Sequence, residues 1–213
     1  MQIILGSQSP RRKQLLKFLI DDFVIKNADL DEDSFAKLAR TPEELVTKLS
    51  LTKAKKVAQN LKAESLIIAA DTIVVLQNDQ DNSWGEIIGK PKDLRKAQQI
   101  LQKLQGRKHE VYTGFTVLNT KKKQFFTDFE MAAVYFQPLN LAQIDRYIDK
   151  FKPLDKAGAY AIQELSREYI AKYEGSLSTI IGLPLEKLVK VLEKFGVKVK
   201  KDWQQKVKDL LLF

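Results

Sequence analysis

Apolar positions along the chain switch between a period of two and a helical period, and the switches mark out the elements. Ile3 to Leu5 is a short apolar run that breaks at Gly6-Ser7-Gln8-Ser9. Leu15, Leu16 and Leu19 then recur at helical spacing, with Ser9 as a capping residue and Pro10 at the first helical position. A strand, a tight turn and a helix are predicted there. Phe23 to Ile25 predicts a second strand, followed by an acidic loop from Asp29 to Asp33. Thr41-Pro42-Glu43-Glu44 has the form of a capping box with proline at N1, and opens a helix to about Leu61. Leu66 to Leu76 is apolar and rich in β-branched residues, broken only by Asp71 and Thr72, and predicts a central strand pair or one bent strand.

Trp84 to Ile88 predicts a further strand, ended by Gly89-Lys90-Pro91. Asp93 caps a helix that carries Leu94, Ala97, Leu101 and Leu104 and stops at Gly106. Val111 to Leu118 and Phe125 to Phe136 read as strands around a turn at Asn119 to Lys123. A helix starts at Asn140, and turns follow at Pro153 and near Gly158. Gly182-Leu183-Pro184 introduces a helix with Leu185, Leu188, Val189 and Leu192 that ends at Gly196. Trp203, Val207, Leu210 and Leu211 share one face of a tail helix suited to docking. Strands and helices are interspersed without repeat or linker, which predicts an α/β fold on a mixed sheet.

Composition narrows the class. With 44% hydrophobic and 30% charged residues, the 213-residue chain can bury a core and keep a solvated surface. No apolar run nears the ~18 residues that span a bilayer. The N-terminal residues lack the regions of a signal peptide, so a soluble, cytoplasmic protein without membrane contact is expected. Cysteine is absent, and a single histidine, His109, cannot form a two-histidine metal site. His109 is expected to be structural or at the surface. No glycines stand in a G-x-G-x-x-G loop or a G-x-S-x-G elbow, which excludes those dinucleotide and hydrolase architectures. Net charge is +9, and from Lys187 onward eight lysines face only Glu193, Asp202 and Asp209. The body is therefore mildly basic, which favours small-ligand phosphates over a nucleic-acid stripe.

Three features break simple core logic, and such breaks tend to mark function. Asp71 stands in an apolar run, where a carboxylate is costly to bury unless a metal or a cation offsets it or it stays protonated, the alternative being a turn residue between two short strands. Lys53 falls in the step-of-four series Leu45, Leu49, Val57, Leu61, so it either snorkels to water or points its cation at an interior anion. Arg11 and Arg12 occupy a first helical turn, where the dipole favours anions; a phosphate on the free N–H groups would reconcile them. Together they predict a site for phosphate and a metal.

Seven blocks in order resemble the Maf family (septum formation inhibitor-like) of nucleoside triphosphate pyrophosphatases. They are S-Q-S-P-R-R from Ser7, T-K-A around Lys53, A-A-D-T from Ala69, G-K-P-K-D from Gly89, G-R-K-H-E-V-Y-T-G from Gly106, D-K-A-G-A-Y-A-I-Q from Asp155, and G-S-L-S-T-I-I-G-L-P-L from Gly175. The resemblance implies a Maf/ITPase-like fold, a bent mixed β-sheet flanked by helices with two lobes around a cleft. Residues 1–196 would form that domain and 197–213 a basic helical tail outside the shared motifs. It implies that Asp71 activates the attacking water and, with Glu32, holds a divalent metal, Mg2+ or Mn2+. Ser7, Ser9, Arg11, Lys53 and Lys90 would bind phosphates. Arg12, Thr72 and Gln163 match the branch that prefers dTTP and UTP, with modified uridine triphosphates tolerated. Pool sanitation or cell-division arrest would be the cellular role, and the tail could support a homodimer. The chain departs from the family at Glu164, where glycine is usual, and at Gly6, before the first serine.

Two rival readings make different demands. A nucleic-acid-binding module would rest on the +9 charge and show steep salt dependence. A division regulator acting by contact would survive Asp71→Asn. Neither accounts for Asp71 in its apolar setting.

Overall fold

The computed structural model describes residues 1–28, 30, 35, 39–77 and 85–211. Its strands are β1 (Gln2–Leu5), β2 (Val24–Ile25), β3 (Ser65–Leu76), β4 (Glu86–Ile88), β5 (Lys108–Asn119), β6 (Gln124–Phe136) and β7 (Ile170–Glu174). Its α-helices are α1 (Pro10–Leu19), α2 (Pro42–Gln59), α3 (Leu94–Leu104), α4 (Leu141–Phe151), α5 (Leu177–Ile181), α6 (Leu185–Lys194) and α7 (Trp203–Lys208). The sheet runs β2-β1-β3-β5-β6-β7, with β4 also on β3. β1 is parallel to β2 and β3 and the other pairings are antiparallel, so the sheet is mixed.

Leu66 to Leu76 lies within one strand rather than a pair, and β3 organises the site. β5 pairs with it from Leu66 to Val75. On the opposite edge β1 ends opposite Ile68 and β4, which is antiparallel, ends opposite Val74. Asp71 sits midway in the interval between those two partners. Side chains alternate along a strand, so neighbours point to opposite faces. Leu66, Ile68, Ala70, Val74 and Leu76 join a core with α1, α3, α4, α5 and α6. Ile67 and Ala69 pack with Ala54 and Val57 of α2, and Ile73 and Val75 with Leu45, Val46 and Leu49. By that alternation Asp71 belongs to the α2 face and Thr72 to the other.

α2 can lie close over the sheet because Gly114, opposite Asp71 in register, has no Cβ. A Cβ there would stand 2.3 Å from the Val46 carbonyl oxygen, inside any real contact distance. With Val46 seated on Gly114, Lys53 follows about two helical turns along the same helix.

Five details differ from the sequence expectation. Thr41 accepts from the Glu44 N–H at 3.2 Å, but Glu44 reaches the Arg40 N–H at 2.7 Å, so the reciprocal half of the box is displaced by one residue. α2 stops at Gln59, short of Leu61. β7 and α5 arise where no element is predicted. The strand expected from Trp84 begins at Glu86, and Trp84 itself lies outside the described residues, as does most of the acidic loop from Asp29 to Asp33. The tail docks, with Trp203 and Val207 of α7 in the same core as Leu15, Leu16 and Leu19 of α1 and the Lys200 N–H donating to the Leu19 carbonyl at 3.0 Å, but the helix ends at Lys208, so Leu210 and Leu211, expected on the same helical face, pack from beyond it. Among the described residues, no helix is long and apolar enough to cross a membrane.

Candidate active site

The interval in the β3 edge opens into a cavity of about 430 Å³. Its lining includes Ser7, Ser9, Arg11, Arg12, Lys53, Asp71, Thr72, Lys90 and Gln163, so the structure brings together every site residue expected from the sequence except Glu32. Glu32 lies outside the described residues.

Two of the sequence anomalies explain each other. Asp71 and Lys53 are 4% and 7% exposed, and the Lys53 ammonium is paired with Asp71 Oδ1 in a buried ion pair. The lysine therefore does not snorkel, and the carboxylate has its compensating cation inside the protein.

On the other face of β3 the α1 turn builds a different set of contacts. Ser9 caps α1 by accepting from the Arg12 N–H at 3.4 Å, and its own N–H donates to Ser7 Oγ at 3.2 Å. The Arg12 guanidinium donates from Nε to the Gly182 carbonyl at 2.8 Å, from Nη1 to Ser7 Oγ at 3.3 Å, and from Nη2 to Thr72 Oγ1 at 3.0 Å. Arg11 donates from Nη1 to Asp155 Oδ2 at 2.8 Å. Burial pushes the Asp155 carboxyl up, yet hydrogen bonds from Lys156 and Arg11 and their charges hold it below the ordinary aspartate range. Arg11 and Arg12 thus meet a protein carboxylate, hydroxyls and a carbonyl, contacts that the sequence does not reveal.

The third wall comes from the turn region after α4. Gln163 lines the cavity, and its Oε1 is buried with no hydrogen-bond partner among the described residues. A buried amide oxygen left unpaired is costly unless a water or a ligand donor reaches it. Lys156 also lines the cavity, is 6% exposed, and pairs with Asp155 at 2.9 Å and with Glu164 at 3.5 Å. Glu164, the departure from the family pattern, also accepts from the Tyr147 hydroxyl at 2.8 Å. Its charge is therefore engaged beside the pocket by a cation and a phenol. The sequence reading assigns Lys156 no role. Its only sequence signal is a lysine set among Ala157, Ala159, Tyr160 and Ala161, without the helical period that marks Lys53.

Behind that wall stands His109, fully buried, with Nε2 2.7 Å from the hydroxyl of cavity-lining Tyr160 and its ring edge-on to Phe136. It is structural, as expected. Burial pushes its pKa down to about 3, so it stays neutral in the native protein. The unfolded imidazole binds a proton near pH 6.5, hence stability is present above that pH and is lost as pH falls toward 3. Between pH 7 and pH 5 the native protein should lose about 2 kcal/mol through this residue alone. Urea unfolding of the parent and of His109→Gln, which keeps a partner for Tyr160 without a titrating ring, should show that extra loss only in the parent.

Among the described residues, no three His, Cys, Asp or Glu side chains cluster as a metal site. Among those residues, two carboxylates line the cavity, Asp155, which Arg11 and Lys156 engage, and Asp71 beside Lys53, and a hard divalent cation takes one or two carboxylates and completes its shell with phosphates and water.

A family model described as Maf-like protein matches residues 2–195. A dTTP/UTP pyrophosphatase of Caldanaerobacter subterraneus subsp. tengcongensis is 42% identical over 214 residues, covering 100% of this chain and 99% of its own. One of Thermoanaerobacter pseudethanolicus is 41% identical over 194 residues, covering 91% of this chain and 96% of its own. A solved nucleoside-triphosphatase / dITP/XTP pyrophosphatase of Mycobacterium abscessus superposes with a TM-score of 0.42 at 12% identity, over 65% of this chain and 76% of that one, a slight likeness that bears on neither site nor activity.

Proposed function

The chain belongs to the Maf-like family, and from that premise we propose that it hydrolyses dTTP and UTP to the monophosphate and pyrophosphate. The observation that carries this reading is a buried carboxylate–ammonium pair opening into the same cavity as an unpartnered glutamine oxygen and a tethered arginine. Phosphoanhydride cleavage needs an in-line water, cations on the phosphates and a base for the water's proton. Asp71 is the base, and the Lys53 ammonium at its Oδ1 fixes the carboxylate's orientation. Ser7, Ser9, Arg11, Lys53 and Lys90 surround the phosphates, with Lys156 added on the far wall. Held by Asp71, Glu32 and the phosphates, a divalent metal, Mg2+ or Mn2+, would neutralise charge on the leaving pyrophosphate.

The base is read at Gln163. Its Oε1, without a partner among the described residues, accepts from N3–H of uracil or thymine while its amide donates to O4, which offsets the cost of the buried oxygen. Arg12 and Thr72 complete the selective side. Pyrophosphate release from a panel of nucleoside triphosphates, with Mg2+ or Mn2+, tests the reaction: release should be confined to dTTP, UTP and close analogues. Gln163→Ala should lower the UTP to CTP ratio of kcat/KM by roughly tenfold to a hundredfold, the worth of one or two hydrogen bonds. An unchanged ratio would remove Gln163 from base recognition.

A further inference from the structure

One chain of hydroxyls runs from the selective side of the site into the core, and its direction can be worked out. A threonine hydroxyl has one proton and two lone pairs. Thr113 is fully buried, stands opposite Thr72 in the β3–β5 register, and does not line the cavity. Its Oγ1 lies 2.8 Å from the Thr179 carbonyl, which can only accept, so the single Thr113 proton is committed there. The Thr72 hydroxyl, 3.0 Å from Thr113 Oγ1, must then be the donor between them. Its own proton is committed in turn, and it accepts from Arg12 Nη2 at 3.0 Å.

The bonds therefore run one way, from Arg12 to Thr72 to Thr113 to the Thr179 carbonyl in the middle of α5. Arg12 Nε reaches the residue that ends α5 directly, through the Gly182 carbonyl. A closed ring results, in which α5 and its C-terminal glycine hold the guanidinium at two points. Thr72 has no proton left to give a nucleobase, so its influence on substrate choice passes largely through its grip on Arg12.

We propose that Thr113 is a positioning residue for substrate selection: it orders the Thr72 hydroxyl and, through it, the Arg12 guanidinium on the cavity wall. The selective role of Arg12 rests on the function proposed above, whereas the ordering of Arg12 does not. Thr113→Val keeps the shape of the buried side chain and removes the hydroxyl, and Thr113→Ser keeps the hydroxyl and removes a methyl.

The test measures kcat and KM for UTP and CTP in Thr113→Val, Thr113→Ser, Thr72→Val and the double valine variant, together with solvent exchange of the Arg12 Nε–H by NMR. Thr113→Val should raise KM for UTP about tenfold with kcat changed less than about threefold. Its UTP to CTP ratio should fall as far as that of Thr72→Val, the double variant should fall no further, and serine should restore the parent values. Exchange of the Arg12 Nε–H should quicken in both valine variants and not in Thr113→Ser. If the parent cleaves UTP but Thr113→Val matches it in KM and ratio, or if the serine variant is as impaired as valine, the inference is overturned and the function stands. Should the parent cleave no nucleotide, the function fails and the exchange rates alone decide whether Thr113 orders Arg12.

Discussion

Asp71→Asn is expected to slow pyrophosphate release from UTP by about 10²–10⁴-fold, the usual contribution of a positioned general base, with KM for UTP changed less than about threefold. The geometry makes the substitution informative. Asparagine has the same shape and still offers an oxygen to the Lys53 ammonium, so the wall of the cavity keeps its form while the proton acceptor is lost. A metal titration separates the two duties assigned to Asp71. A base leaves a low maximal rate at every metal concentration. A residue that serves only as a metal ligand gives a rate that recovers toward the parent value at high Mg2+. Full pyrophosphate release in the asparagine variant would remove Asp71 from the role of base and leave the proton of the attacking water to another group.

Much of this site is legible in the sequence because its key residues are misfits in their local pattern. Asp71 interrupts an apolar strand, Lys53 interrupts a helical stripe, and Arg11 and Arg12 stand at the wrong end of a dipole. What the sequence leaves open is which misfit answers which. Lys53 meets Asp71 because α2 packs on the face that odd-numbered residues of β3 present, and that packing depends on Gly114 far along the chain. Arg12 finds the Gly182 carbonyl across 170 positions, and no local rule connects them. The missed elements have the same cause. β7 buries only Ile170 fully, and its strand form rests on its ladder with β6. α5 is five residues of Leu, Ser, Thr and Ile, mostly modest helix formers, held by the Ser176 cap and buried on all sides.

The alternation of a strand also lets the residues proposed for reaction and for selection sit one position apart. Asp71 points to α2 and its lysine, while Thr72 points to α1, α5 and the arginine. Both reach one cavity because β1 and β4 leave an interval on that edge of β3. The hydroxyl network behind Thr72 can therefore change without disturbing the Lys53–Asp71 pair.

Lys53→Met is the second large effect expected, and it acts first on stability. Methionine fills the space of the lysine stem but leaves the Asp71 carboxylate, 4% exposed, without its ammonium. Breaking one partner of a buried pair costs about 3–5 kcal/mol, far more than the pair contributes net, because the survivor remains buried and charged. Urea unfolding at pH 7 should show a loss of that size, and pyrophosphate release should fall below detection. Lys53→Met combined with Asp71→Leu removes both charges and should return stability to near the parent value while activity stays absent. That divergence separates the two contributions of the pair: its cost belongs to the fold, and its carboxylate to the chemistry. A single Lys53→Met variant that lost less than about 1 kcal/mol would mean that water reaches Asp71, and the buried-pair account of the site would have to be abandoned.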